Sequence, residues 1–205
     1  MIDPNYFGYA GFRFSWGDHI CAIFDLPGQQ EEIMGGFMAQ GLAASQRCVW
    51  VASPFSAERF RRMMRAIEAD LPTLEASGQL LVVSDVEFYL KKGLFEPDRT
   101  MDLLRALLED GQRQGYETMR MATDMSWLMS GRADLEVWEE YEGRLTQEVA
   151  GLPVVMVCQY DRRQVSGSIV VAAFRTHPIV VLGDTIHENP FYAAREAGAA
   201  APEVV

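Results

Sequence analysis

The sequence predicts an α/β protein: a three-layer sandwich in which helices cover both faces of a mainly parallel sheet. Three observations predict it. Short apolar runs recur almost from end to end, amphipathic segments of helical period separate them, and glycines or helix-capping residues fall at the joints.

An aromatic lead-in, NYFGYAGFRFSW, fills most of residues 1–18. The strand-like runs follow as HICAIF, RCVWVAS, QLLVVSD, TMRMATD, PVVMVCQYD and PIVVLGD. Most are near-continuously apolar, as strands covered on both faces require. The helix candidates between them are GQQEEIMGGFMAQGLAASQ, SAERFRRMMRAIEADLPTLEASG, PDRTMDLLRALLEDGQRQG, ADLEVWEEYEGRLTQEVAG and the shorter SGSIVVAAFRT. Ser56 and Asp98 are the expected N-caps, and Gly78, Gly115 and Gly151 stand where helices should stop. No internal repeat is visible. One domain over 19–192 is therefore expected after the lead-in, and the small, polar tail 193–205, AAREAGAAAPEVV, is expected to be flexible.

The 205 residues are 49% hydrophobic, enough for one good-sized core, and carry a formal net charge of −11. That acidic excess argues against a direct nucleic-acid partner and against an anionic membrane surface, both of which need a basic face. No uncharged apolar stretch reaches the roughly eighteen residues of a membrane span, and the N-terminus lacks the order of a signal peptide. A cytoplasmic protein is expected. The three cysteines sit in strand-like apolar contexts and read as reduced thiols.

In an open parallel sheet, ligands bind outside the carboxyl ends of the strands, where strand order reverses. Function is therefore sought at residues 25–28, 53–55, 85–88, 124–127, 159–161 and 183–184. The first of these turns, DLPGQQEE, has one glycine where a phosphate-cradling loop needs several, and no lysine followed by Ser or Thr. Glutamates at the helix start would repel phosphate as well. Asp124, at a strand end, is expected to cap a helix or touch a ligand; Met125 and Trp127 after it suit either an apolar pocket wall or the core.

His19 and Cys21, two apart on a strand, share a face and are the candidate pair for a metal ion or a thiol-redox element. Neither has the spacing of a zinc site, and burial with ordinary hydrogen bonds is the default reading. Trp138, Tyr141, Glu142 and Leu145 lie at helical spacing, so Glu142 must face solvent or a partner. His177 precedes a proline at the start of a strand, and His187 is expected to cap a turn.

The order of these pieces resembles the MEDS domain, the methanogen/methylotroph sensory domain of bacterial and archaeal signalling proteins, a dichloromethane-response regulator among them. HIC, RCVWVAS, G-Q-L-L with Tyr89 and GLF, DMSW, the YE pair, CQYD, and HP followed by NPFY carry the resemblance from about His19 to Tyr192. It implies a sensory function, with simple hydrocarbon or one-carbon derivatives as ligands, and a KaiC/RecA-like sheet whose phosphate loop has eroded. His19, Cys21, Asp124, Trp127, Glu142, Cys158, Tyr160, Asp161 and His177 match recurrent family positions. Family members are often joined to DNA-binding or kinase modules. None is visible here, so the output is expected to pass to another chain, a kinase or transcription regulator.

The expected ligand site is the carboxyl edge around Asp25, Asp124, Met125, Trp127 and Tyr160, with His177 included and His19 and Cys21 beneath its floor. The ligand is open at this point: a one-carbon or halogenated compound, a degenerate nucleotide or a metal. Rival readings are a nucleotide hydrolase using Asp124, a thiol enzyme using Cys21 with His19, and a purely structural module. The lead-in residues Tyr6, Phe7, Tyr9, Phe12, Phe14 and Trp16 need cover, from a second copy in a homodimer, a signalling partner or the chain's own core.

Overall fold

In the computed structural model, which describes residues 2–67 and 69–192, the apolar runs become strands β1 (His19–Phe24), β2 (Arg47–Ala52), β3 (Leu80–Ser84), β6 (Met119–Asp124), β7 (Val154–Asp161) and β8 (Ile179–Leu182). They pair in parallel in the order β3-β2-β6-β7-β1-β8, and β9 (Thr185–Glu188) adds an antiparallel edge to β8. A hairpin, β4 (Leu90–Lys91) with β5 (Leu94–Phe95), forms a small second sheet.

The helices are α1 (Pro27–Ala43), α2 (Pro54–Ala66), α3 (Leu71–Ala76), α4 (Asp85–Tyr89), α5 (Pro97–Arg113), α6 (Leu135–Val149) and α7 (Gly167–Thr176), with a 3₁₀ turn over Met125–Ser130. Their sides follow from handedness. Parallel crossovers are right-handed, so connections that run opposite ways along the sheet cover opposite faces. Those leaving β1 and β2 run toward β3 and place α1, α2 and α3 on one face, over Ile20, Ala22, Trp50 and Val157. Those leaving β3, β6 and β7 run back and place α5, α6 and α7 on the other, over Cys21, Met121, Cys158 and Tyr160. The result is the three-layer α/β sandwich that the alternation predicts.

Several local expectations shift. The helix over 56–78 is two helices, α2 capped by Ser53 and α3 by Asp70, so Ser56 is not the cap but donates its amide to Ser53. Asp98 lies inside α5, whose N-cap is Glu96. His187 stands in β9 rather than capping a turn, because the chain after β8 folds straight back along it. Gly78 and Gly115 do end helical segments, at φ of 72° and 92°. The tail 193–205 lies outside the described residues.

The aromatic lead-in packs on this chain's own core. Phe7 and Phe14 are buried in the α1-side layer, Tyr9, Phe12 and Trp16 pack against it, and Tyr6 bridges to Arg13. Its backbone approaches α1 so closely that a Cβ on Gly8 would lie 2.2 Å from the Gly36 carbonyl oxygen. The cover that these side chains require comes from within the molecule.

Candidate functional site

At the carboxyl edge, β1 sends its helix to one face while neighbouring β7 sends its helix to the other, so a cleft opens between them. Its lining is polar: Ser53, Asp124, Ser126, Gln159, Asp161 and Gln164 contribute. Gln30 Nε2 donates across it to Gln159 Oε1 at 2.9 Å, leaving Gln159 Nε2 buried without a partner. Asp124 spends one carboxylate oxygen on the Ser126 amide, 2.9 Å away, as the cap of the 3₁₀ turn. Asp25 pairs with Arg162.

The β1–α1 turn has closed on itself. Gln29 Oε1 accepts from the backbone amides of Asp25 and Leu26 at 3.1 and 3.0 Å, two donors that a phosphate-binding loop would turn toward its ligand. Asp124 and Asp161 stand on the cleft wall with Arg59, which is itself paired with Glu31, and the turn has no lysine, so the edge offers a polyphosphate little net positive charge.

The remaining expected residues lie deeper, in the layer between the sheet and α5–α7. Trp127 stacks on Tyr89 with ring centroids 4.5 Å apart, and buried Met125 receives the Tyr89 hydroxyl at 3.6 Å and lies 3.4 Å from Thr123 Oγ1. Thr123 Oγ1 lies 3.5 Å from Cys158 Sγ, which continues the row inward. Cys158 opposes Cys21 in the β1–β7 register.

Around Cys158 the fold gathers a set that sequence spacing does not suggest. His19 Nε2 lies 3.3 Å from Cys158 Sγ and 3.4 Å from Glu142 Oε2, and His177 Nε2 lies 3.4 Å from the same oxygen. All four residues are completely buried. His19 and Cys158 come from adjacent strands, Glu142 from the inner stripe of α6, and His177 is the C-cap of α7. Cys21 stays outside this group, and Asp25 and Asp124 remain at the edge. The pair His19 and Cys21 expected from the sequence is thus divided: His19 joins Glu142, Cys158 and His177.

The protonation of the set follows from burial. Desolvation holds His19 well below its ordinary range, with His177 adding to the effect, and lowers His177 to about 4. It pushes Glu142 up to about 8, against the Trp138 and Cys158 hydrogen bonds that favour the anion, and raises the Cys158 thiol well above its usual value. Burial thus disfavours the charged form of every member of the set. Two further polar atoms in this layer, the Tyr160 hydroxyl and Trp127 Nε1, are buried without a partner. At the carboxyl end of the layer, Leu128, Met129, Ala133, Leu135 and Ile169, with Ser166 and Ser168 around the start of α7, line a mainly apolar depression.

Residues 18–178 match the MEDS family, described as the methanogen/methylotroph, DcmR sensory domain. The chain belongs to the MEDS family. This MEDS chain is also similar to the transcriptional repressor DcmR of Methylorubrum extorquens, 26% identical over 172 residues that take in 82% of this chain and 61% of that protein. It thus spans less than two thirds of the relative's length. The family match makes residues 18–178 a sensory domain. No helix among the described residues is long and apolar enough to cross a membrane.

The spacing of α6 leaves Glu142 facing either solvent or a partner; in the structure it faces partners, buried. The signal that marks it is the stripe itself: a carboxylate in register with Trp138, Tyr141, Leu145 and Val149, all buried, has to find polar company inside.

Proposed function

We propose that this MEDS chain is the ligand-recognising part of a cytoplasmic transcription-control system and does not turn over substrate. Its ligand is a small, mostly apolar molecule with one hydrogen-bonding group, of one-carbon or short hydrocarbon size. The observation that carries the reading is the pair of buried, unpartnered groups in one layer, the Tyr160 hydroxyl and Trp127 Nε1, the latter on the residue before Leu128, which lines the depression at the carboxyl end. An unpaired buried donor costs roughly 1–3 kcal/mol, a cost that a bound acceptor removes. Small-molecule sites combine apolar walls with a few convergent polar groups, and on this reading the depression at Leu128, Leu135 and Ile169 extends inward to Trp127 and Tyr160 of the same layer.

The ligand lies between the Met125–Ser130 turn and the starts of α6 and α7, and its binding shifts those helices against the sheet. The shift is read by a DNA-contacting regulator or a kinase, since a net charge of −11 makes this chain itself a poor partner for phosphate backbones.

The test is nuclear magnetic resonance of the four tryptophan indole N–H groups during titration with methanol, formaldehyde and dichloromethane. The Trp127 resonance is expected to move most and Trp138 with it, while Trp16 and Trp50 on the opposite face stay still. Movement confined to Trp50 or Trp16, or no movement with any compound, overturns the reading.

A further inference from the structure

We propose that His19, Glu142, Cys158 and His177 form a binding site for one divalent cation of the zinc class. The four ligand atoms, two imidazole nitrogens, a carboxylate oxygen and a thiol sulfur, all lie within 4.8 Å of one another. Tetrahedral zinc, with bonds of about 2.0–2.1 Å to N or O and 2.3 Å to S, sets its ligand atoms roughly 3.3–3.6 Å apart. The edges His19–Cys158, His19–Glu142 and His177–Glu142 measure 3.3, 3.4 and 3.4 Å, and Cys158–Glu142 measures 3.9 Å.

Hydrogen bonding turns both imidazoles the right way. Thr146 Oγ1 lies 2.7 Å from the Thr176 carbonyl oxygen and has one proton to give, so it accepts from His19 Nδ1–H at 2.8 Å. His177 Nδ1 lies 2.9 Å from the Ala173 carbonyl oxygen, which can only accept, so that nitrogen carries the proton. Each Nε2 is therefore left with a lone pair directed at the centre of the set. His177 Nε2 is fully buried and makes no hydrogen bond, although Glu142 Oε2 is 3.4 Å away. A cation uses both atoms.

The outer contacts match those of metal centres, where ligands are oriented by a second set of hydrogen bonds. Thr146 holds His19, the Ala173 carbonyl holds His177, and Trp138 Nε1 donates to Glu142 Oε1 at 3.1 Å, leaving Oε2 for the centre. The charges also balance. Binding releases one proton from the Glu142 carboxyl group and one from the Cys158 thiol, so carboxylate, thiolate and a doubly charged cation give a neutral unit in the interior. Soft sulfur and imidazole together with one carboxylate in a four-coordinate cage favour zinc over magnesium or calcium.

This site does not depend on the one-carbon reading. A metal found with no indole response supports the site alone, and an indole response without metal supports only the ligand.

The experiment is refolding of the full chain from denaturant with cobalt(II) as a spectroscopic substitute for zinc, followed by removal of free metal. One cobalt per chain is expected, with the intense visible bands of a four-coordinate site and a near-ultraviolet thiolate-to-cobalt charge-transfer band. Cys158→Ser is expected to lose that charge-transfer band, whereas Cys48→Ser, on the opposite face of the sheet, keeps it. Thr146→Val, which leaves every ligand in place, is expected to weaken zinc binding roughly 10–100-fold. Wild-type protein that takes up no cobalt with such a band overturns the site without reference to any variant, as does Cys158→Ser that retains it.

Discussion

Arg120 Nη2 donates to the Tyr6 carbonyl at 2.7 Å, which joins the second residue of β6 to the N-terminal segment across 114 positions of chain. The same guanidinium reaches the carbonyls of Pro4, Phe7 and Phe37 and Gln46 Oε1, and it lies over the rings of Phe14 and Phe37. Burial lowers its pKa to about 10, which leaves it charged at neutral pH and solvated by oxygen atoms of the chain. The small residue at Gly41 makes room, since a Cβ there would stand 2.6 Å from Arg120 Cδ.

Arg120→Met should therefore destabilise the protein by about 3–5 kcal/mol, because it strands several buried carbonyls and unpins the lead-in. Urea unfolding measures the loss, and limited proteolysis should show cleavage within residues 2–18 ahead of the domain. A loss below about 1 kcal/mol would mean that the aromatic packing holds the segment by itself.

Tyr160→Phe separates a ligand-facing hydroxyl from a structural one. The hydroxyl is buried and unpaired, so its removal should leave stability unchanged or raise it by up to about 1 kcal/mol, while weakening the indole response to the ligand. A stability loss of more than about 1 kcal/mol in thermal unfolding would show that the hydroxyl has a structural partner.

Asp161 sets an acid limit. Its carboxylate accepts from Arg163 Nη2 at 2.6 Å and from Gln164 at 2.7 Å, with Arg163 the larger cause, and its pKa falls from 3.8 to about 2. Between those values the unfolded chain binds a proton that the folded chain does not, so stability drops as pH falls through the window and is fully present above about pH 4. Its partner Arg163 is half exposed, so solvent screening holds the contribution to about 1 kcal/mol. Asp161→Asn should flatten the urea midpoint between about pH 4 and pH 2; an unchanged slope would assign the acid limb to other carboxylates.

Local sequence determined the layers. Near-continuous apolar runs such as VVMVC make strands buried on both faces, the intervening period-3.6 segments make their covers, and right-handed crossovers then leave little freedom in which helix lies where. The missing lysine and single glycine of DLPGQQEE were equally legible, and Gln29 explains the rest of that turn's loss.

What only the tertiary structure decided is which polar side chains meet. His19 and Cys21 are two residues apart and share a strand face, yet His19's short contacts run to Glu142 and Cys158 and its ring lies 4.0 Å from that of His177, more than 120 positions away in each case. Spacing along a strand fixes the direction of a side chain but not what packs over it. That depends on how α6 and α7 settle on the sheet, through the burial of Trp138, Tyr141 and Ala173. Burial then draws Glu142 inward with its apolar stripe, and once inside it can be accommodated only beside groups that share a proton or a cation with it.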